Sequence, residues 1–522
     1  MSATPTVCPL REVEDEDEKI RRVLELAGEE VPSTESLLAD GDVHVQVTVP
    51  TSISQPWYPL SNVTKLNLPN CGLSELPSQL PTALPNLSIL FVPQNNFCEV
   101  PSVIGQCLKL QMISFKDQQH NQLTTVHPEA LQRQLRWLIL TNNAIKKLPD
   151  TIGRCINLQK CMLSGNQLQE LPHTIVQCRK LELIRLASNQ LTHAPVDLLE
   201  QLPNLRWIGL SDNPFLESTA ILSPSPTLPV LHDIDDDHVE ATGEILGKGA
   251  GGITRKYWWN KQNLHVAVKT FPHTDPTQRT MTSDGLPSEE RRISSLTSQL
   301  SQTCSALVQV YGQTTKYQSL VLEYLQDYVP LAAPPSMKSC SRDIYDHYFR
   351  DGRQRPPFSS GQSVTIVSTI LEGIRALHSV SICHGDLYAH NILLSDPETS
   401  DDLDVRLTDF GAAFVYDKTS AYGKLLPKVE LRAFAVLVQE VIDLLVYVND
   451  DSEEAKQESL VIYEKSNQED PNFALRLALL SDLVKKCHEA ETLDDVYIWW
   501  TQKQLASLAT SIGQELKLDQ DG

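Results

Sequence analysis

Apolar residues in the first half of the chain recur with a long period. Units begin near Val63, Leu87, Leu110, Leu135, Leu158, Leu181 and Leu205, at intervals of 23 to 25 residues. The clearest reads Leu135-x-x-Leu138-x-Leu140-x-x-Asn143-x-Ile145-x-x-Leu148-Pro149, and Leu158-x-x-Cys161-x-Leu163-x-x-Asn166-x-Leu168-x-x-Leu171-Pro172 repeats it. Such a unit is a short strand with a return segment. It cannot bury its apolar face alone, so the units must stack. Asn95, Asn143, Asn166, Asn189 and Asn213 are expected to bond backbone at the turn leaving each strand, with Cys71 in that place in the first unit. The third unit carries extra residues at Lys116–Asn121, which should bulge. Cys107, Cys155 and Cys178 recur at one phase, which makes them core positions. The outward strand positions are large and apolar: Ile89, Met112, Trp137, Leu183 and Trp207 in one column, broken by Lys160, and Phe91, Ile139 and Met162 beside it. An exposed patch of this composition marks a protein contact, with Trp137, Ile139, Met162, Leu183 and Trp207 as its candidates. The alternative is that the second half of the chain or its N-terminal segment folds over it.

The pattern then changes. Ser223-Pro224-Ser225-Pro226-Thr227-Leu228-Pro229 reads as a linker, followed by a nearly all-acidic Asp233–Asp237. Beyond it, apolar strands alternate with helical spacing. Tyr257-Trp258-Trp259 and Leu264–Val268 read as strands about an Asn260–Asn263 turn, and Ser319–Leu325 as another strand. Ser288–Leu300, Val364–His378 (with Ile366, Ile370, Ile374 and Leu377 on one face) and Leu431–Val448 read as helices. Ahead of them, Glu12–Glu18 is an acidic run, and Ile20, Val23, Leu24 and Ala27 suit a short helix.

The chemistry lies in the second half. Gly247-Lys248-Gly249-Ala250-Gly251-Gly252 is a glycine-rich turn whose backbone N–H groups can approach phosphate. It leads into a strand ending Val266-Ala267-Val268-Lys269, not into a helix, which argues against a dinucleotide-binding unit. His384-Gly385-Asp386-Leu387-Tyr388-Ala389-His390-Asn391 follows, then Asp409-Phe410-Gly411. One base and two metal ligands in this order suit phosphoryl transfer, which needs a held nucleophile and neutralised charge.

Together these motifs resemble the catalytic core of protein kinases over roughly residues 240–510. With the first half matching the leucine-rich-repeat pattern, the whole resembles cytosolic leucine-rich-repeat protein kinases of bacteria and unicellular eukaryotes. The resemblance implies a multidomain chain: an α/β leucine-rich-repeat solenoid followed by a bilobal α+β protein-kinase fold. The expected boundaries are an acidic segment at 1–60, repeats at 61–217, a linker at 218–237 and a kinase-like domain at 238–512. It further implies ATP and Mg²⁺ as cofactors. Gly247, Gly249 and Gly252 would cover the phosphates; Thr254, Ala267 and Leu393 would flank adenine; Glu323 to Leu325 would supply the hinge. Lys269 would contact the phosphates with Glu290 behind it, although helix phase leaves Glu289 open as a rival. Asp386 would act as base, and Asn391 and Asp409 would hold the metal. His384 and Phe410 would pack in a hydrophobic spine.

Some positions depart from the family. Gly385 stands where the family has Arg, which implies no reading of an activation-loop phosphate. Tyr388 replaces a Lys, no Ala-Pro-Glu follows Gly411, and no Arg-Pro follows Cys487. The expected activity is transfer of the ATP γ-phosphate to a protein hydroxyl, Ser/Thr by default. The rival readings are a pseudokinase scaffold and a small-molecule phosphotransferase of aminoglycoside-kinase type.

Composition sets bounds on this reading. At 522 residues the chain exceeds one ordinary core, and its net charge of −22 argues against nucleic acid or an anionic membrane as partner. No stretch has the length and apolarity of a membrane span, and the N-terminal residues lack a secretory core. Eleven scattered cysteines without a C-x-x-C pair read as reduced thiols, which suits a cytoplasmic protein.

Overall fold

The computed structural model describes residues 63–116, 122–216, 231–249, 251–272, 281–345, 358–395, 403–446, 470 and 472–521. The acidic run Glu12–Glu18, the short helix expected after it, the expected repeat bulge at 117–121 and the Ser223–Pro229 linker lie outside these residues. Two compact units are present. The first comprises Met1–Asn204, Asp212–Glu217 and Arg279–Leu286; the second comprises Leu205–Ser211, Ser218–Gln278 and Pro287–Gly522.

In the first unit each repeat contributes one three-residue strand to a parallel sheet. Lys65–Asn67, Ile89–Phe91, Met112–Ser114, Trp137–Ile139, Lys160–Met162 and Leu183–Arg185 pair in succession. Their middle residues Leu66, Leu90, Ile113, Leu138, Cys161 and Ile184 all point inward and are buried, because side chains alternate faces along a strand. The return segments are mostly single 3₁₀ turns such as Asp150–Arg154 and His173–Gln177. The asparagine ladder closes the turns. Asn166 donates to the carbonyls of Leu140 (2.9 Å) and Leu163 (2.9 Å) and accepts from the N–H of Ile145 (3.1 Å). Asn189 does the same with Leu163, Leu186 and Leu168. A buried backbone group without a partner is costly, and one asparagine satisfies several at once.

The outward columns differ from the open apolar patch that the pattern suggests. Trp137, Ile139 and Leu183 are buried and Met162 is half-buried. The Lys160 ammonium lies 4.3 Å from the centre of the Trp137 ring. Met281 and Asp284, from the Arg279–Leu286 segment of the same unit, occupy this region. Arg185, 2% exposed, pairs with Asp284 at 3.0 Å, and the Met281 methyl lies 3.2 Å from where a Cβ on Gly165 would stand. Another stretch of the chain therefore covers part of this face. Trp207, 2% exposed, is not an open contact either.

Nine described cysteines are free, and eight of them are buried. Cys98 lies at the edge of the repeats. It is half-buried, whereas the repeat-phase cysteines Cys107, Cys155 and Cys178 are sealed in the core.

In the second unit, six strands run in the order Asp233–Ile234, Val310–Thr314, Leu320–Glu323, Leu264–Thr270, Gly252–Trp259, Val239–Gly249. The 257–268 hairpin turns at residues 260–263, with Asn263 at φ 55°. Helix α1 (Pro287–Leu300) follows the sheet strand that bears Lys269. Helix α2 (Ser360–Ser379) starts at a capping box, in which Ser359 accepts from Gln362 N–H and the Gln362 side chain accepts from Ser359 N–H. Its buried face, Ile366, Ile370, Ile374 and Leu377, is the one its periodicity marks. Helix α3 (Leu426–Val446) supplies Val429, Leu431, Phe434, Leu437, Val438 and Val441 to the same core. Among the described residues no helix is long and apolar enough to cross a membrane.

Candidate functional site

Lys269 comes from the strand Leu264–Thr270, opposite Thr254 in the neighbouring strand. Its ammonium lies 2.6 Å from Glu290 Oε1, on the first turn of α1, and 3.0 Å from Asp409 Oδ1. Glu290, not Glu289, therefore faces the lysine. Glu289 turns back along the helix and accepts from Arg292. Desolvation would lower the Lys269 pKa, but Asp409 and Glu290 outweigh it, so the pKa is raised and Lys269 stays a cation. Desolvation would likewise raise Asp409, yet Lys269 brings it down to about 2. Asp409 also accepts from Gly411 N–H at 3.1 Å and sits at φ 59°, a left-handed backbone that Asp tolerates better than most residues.

The glycine-rich hairpin pairs Gly247 with Thr254 and Gly249 with Gly252. Gly252, at φ 137°, passes so close to the next strand that a Cβ would stand 2.3 Å from Thr270 O. Gly247 has no such crowding: a Cβ there meets nothing within 4 Å. Ala267 is buried opposite Lys256 in the same sheet, while half-buried Leu393 lies on a separate strand, Ile392–Ser395. Glu323 ends its strand with its N–H donated to Gln309 O (2.9 Å), and Leu325 follows two residues on.

The loop after α2 is fixed by backbone bonds. His384 donates from Nε2 to Thr408 O (3.1 Å) and accepts at Nδ1 from Asp386 N–H (3.3 Å). Its ring packs at 5.6 Å from Phe410. Glu430 of α3 accepts from the N–H groups of Gly385 (2.9 Å) and His384 (3.3 Å) and bonds His378 Nε2. Desolvation would raise the Glu430 pKa, but His378 and these donors lower it, so it is held as a carboxylate. Asn391 donates from Nδ2 to Asp386 O (2.9 Å) and to Asp386 Oδ2 (3.2 Å). That leaves its amide oxygen, not its nitrogen, facing away from Asp386.

Two further anchors of this loop come from parts of the chain that its own motif does not point to. Asp343, between the strand Tyr328–Pro330 and α2, accepts from His390 N–H (3.0 Å) and from His390 Nδ1 (2.7 Å). The strand Trp207–Gly209 is the other. The Trp207 ring stacks on Tyr388 with centroids 4.1 Å apart and planes 9° from parallel.

This geometry and the chain's motifs meet in one class. The protein kinase domain model matches residues 241–437, and the leucine rich repeat model matches residues 156–215. The chain therefore carries a kinase-fold domain preceded by leucine-rich repeats. Serine/threonine-protein kinase PLK4 of Drosophila virilis is 25% identical over 180 residues, covering 34% of this chain and 19% of the relative. Testis-specific serine/threonine-protein kinase 4 of Homo sapiens is 25% identical over 195 residues, covering 37% of this chain and 50% of the relative. The crystal structure of the Rad53 kinase domain and SCD2 matches at 17% identity and a TM-score of 0.30, over 50% of this chain and 83% of that one. The chain thus spans about a fifth of PLK4 and half of the testis-specific kinase.

Proposed function

We propose that the chain is an ATP-dependent protein kinase that transfers the γ-phosphate to a serine or threonine hydroxyl, with Asp386 as the base. The observation that carries this is the arrangement of Lys269 between Glu290 and Asp409, with Asn391 holding Asp386. A buried cation fixed by a helix carboxylate is what phosphate oxygens need, and the second carboxylate beside it is a hard-oxygen metal ligand. Asp409 and the Asn391 amide oxygen form a donor set that suits Mg²⁺, which prefers oxygens and keeps few protein ligands. When bound, Mg²⁺ neutralises charge on the transferring phosphate. Asp386 accepts the proton of the acceptor hydroxyl, and Lys269 orients the phosphates. Gly247, Gly249 and Gly252 lay backbone over them, and Thr254, Ala267, Leu393 and the Glu323–Leu325 backbone hold the base. The Ser/Thr preference rests on the curated relatives, both Ser/Thr kinases by name.

A protein partner on the repeats belongs to the same reading. Because Met281 and Asp284 already lie against Gly165 and Arg185, such a partner either uses the positions beside them or displaces that segment. The test is phosphate transfer from labelled ATP to dephosphorylated casein by the full chain. Asp386→Ala should lose at least about a hundredfold in kcat while still binding nucleotide. Equal transfer by the variant refutes the assignment.

A further inference from the structure

Within the second unit, residues Leu205–Ser211 run against the loop that carries Asp386. Trp207 does more than stack on Tyr388: its Nε1 donates to the Leu387 carbonyl at 2.9 Å. The next residue, Ile208, donates its N–H to the Gly385 carbonyl at 3.0 Å. Arg432 of α3 donates to Leu205 O (3.3 Å), tying the start of this segment to the helix that also bears Glu430. Trp207, Leu387 and Tyr388 are all buried.

These bonds fall on both sides of one residue. Gly385 precedes Asp386; Leu387 and Tyr388 follow it. They also account for the glycine. Gly385 sits at φ 73°, and a Cβ there would stand 2.3 Å from Ile208 O and 3.0 Å from Ala412 O. The place into which a side chain at 385 would project is filled by the backbone of Ile208.

We propose that Trp207 is a positioning residue for the phosphotransfer site. Its stack and its N–H bond, with the neighbouring Ile208 bond, set the backbone on both sides of Asp386. The segment takes over the fixing of the loop that a side chain at position 385 would otherwise provide. This rests on reading Asp386 as the base. A base displaced by about 1 Å costs on the order of a hundredfold in rate, so a positioning role shows in kcat and not in nucleotide affinity.

The experiment uses the full chain with Trp207→Ala and Trp207→Phe, labelled ATP, casein as acceptor, and a fluorescent ADP analogue for affinity. The expected result is a fall in kcat of roughly thirty- to a hundredfold for Trp207→Ala, with nucleotide Kd within about threefold. Trp207→Phe keeps a ring on Tyr388 but loses the N–H. It should recover part of the rate. Amide exchange at residues 385–388 should speed up in the same order. The proposal is overturned by a Trp207→Ala kcat within about twofold of the parent, or by equal losses of rate and nucleotide affinity in both variants. If the parent binds nucleotide but phosphorylates nothing, the kinase reading fails instead. The exchange rates at 385–388 then decide the positioning claim alone: unchanged rates in Trp207→Ala sink it.

Discussion

Glu440, on α3, makes stability depend on pH in a direction opposite to that of most carboxylates. Its side chain is 13% exposed, accepts from the Tyr345 hydroxyl (2.8 Å) and lies 3.3 Å from Arg342. Asp343 and Asp443 face it as well. Burial is the largest influence and outweighs Arg342, so the Glu440 pKa is pushed up from 4.5 to about 7. A raised carboxyl pKa means that the folded state binds the proton more tightly than the unfolded chain does. The stability it supplies is therefore complete below about pH 4.5 and is lost as pH rises through about 7. The shift of about 2.5 units corresponds to about 3 kcal/mol in all, of which about 2 kcal/mol falls between about pH 5.5 and 7.5. His390, whose pKa is raised because Asp343 outweighs desolvation, adds a loss of the same sign. Asp409 acts oppositely, and only below its unfolded value near 3.8. The assay is equilibrium urea unfolding of the full chain across this range, for the parent and for Glu440→Gln. The parent should lose about 2 kcal/mol on going from about pH 5.5 to 7.5, and the variant should lose less than half of that. An unchanged pH slope in Glu440→Gln refutes the reasoning, because the loss is then carried by a group other than Glu440.

Two further predictions concern the repeats. Asn166→Ala removes three buried bonds to Leu140, Leu163 and Ile145 and should cost about 3 kcal/mol by urea unfolding. Asn96→Ala, which loses one exposed bond to Gly72 O, should cost less than about 0.5 kcal/mol, and equal costs would count against the ladder. The thiols of Cys155 and Cys178 are pushed up to about 12, and that of Cys107 to about 11, by burial. They should resist iodoacetamide in the folded chain and react once it is unfolded; rapid labelling of the native protein would contradict the core placement.

Local patterns account for what could be read from the residues alone. The repeat period, the 257–268 hairpin, the buried stripe of α2 and the order of the phosphate motifs each lie within a short stretch of chain. Helix phase could not separate Glu289 from Glu290, because both lie on the first turn. The choice depends on where the Lys269 strand passes, which is a tertiary fact. Asp343 is illegible for a similar reason: an acid in the irregular connection before α2 has no periodicity to announce that it will meet His390. The outward repeat columns look exposed because alternation separates faces without saying what covers them. Arg185, 2% exposed on one such column, is explained only by Asp284, ninety-nine residues away in sequence. Gly385 was the one visible trace of the Trp207 contact. A glycine where the family carries a long cation signals a close approach, but not by which segment.

The loop around Asp386 is held by three elements, each on different backbone atoms. Glu430 takes the N–H groups of His384 and Gly385; the Trp207–Ile208 pair takes the carbonyls of Gly385 and Leu387; Asp343 takes the N–H of His390. These groups would otherwise need water or one another, since a short loop cannot satisfy its own backbone. Spreading the anchors along seven residues, 384 to 390, removes freedom on each side of the acid, and Asn391 then fixes its carboxylate. An enzyme that secures its base by switching a loop would keep a cation at position 385. Here the geometry leaves no room for one, and the loop is already fixed by bonds that need no modification. Control of this site is therefore expected to act through the elements that hold the anchors, and Trp207 is the one whose side chain meets the two residues that follow Asp386.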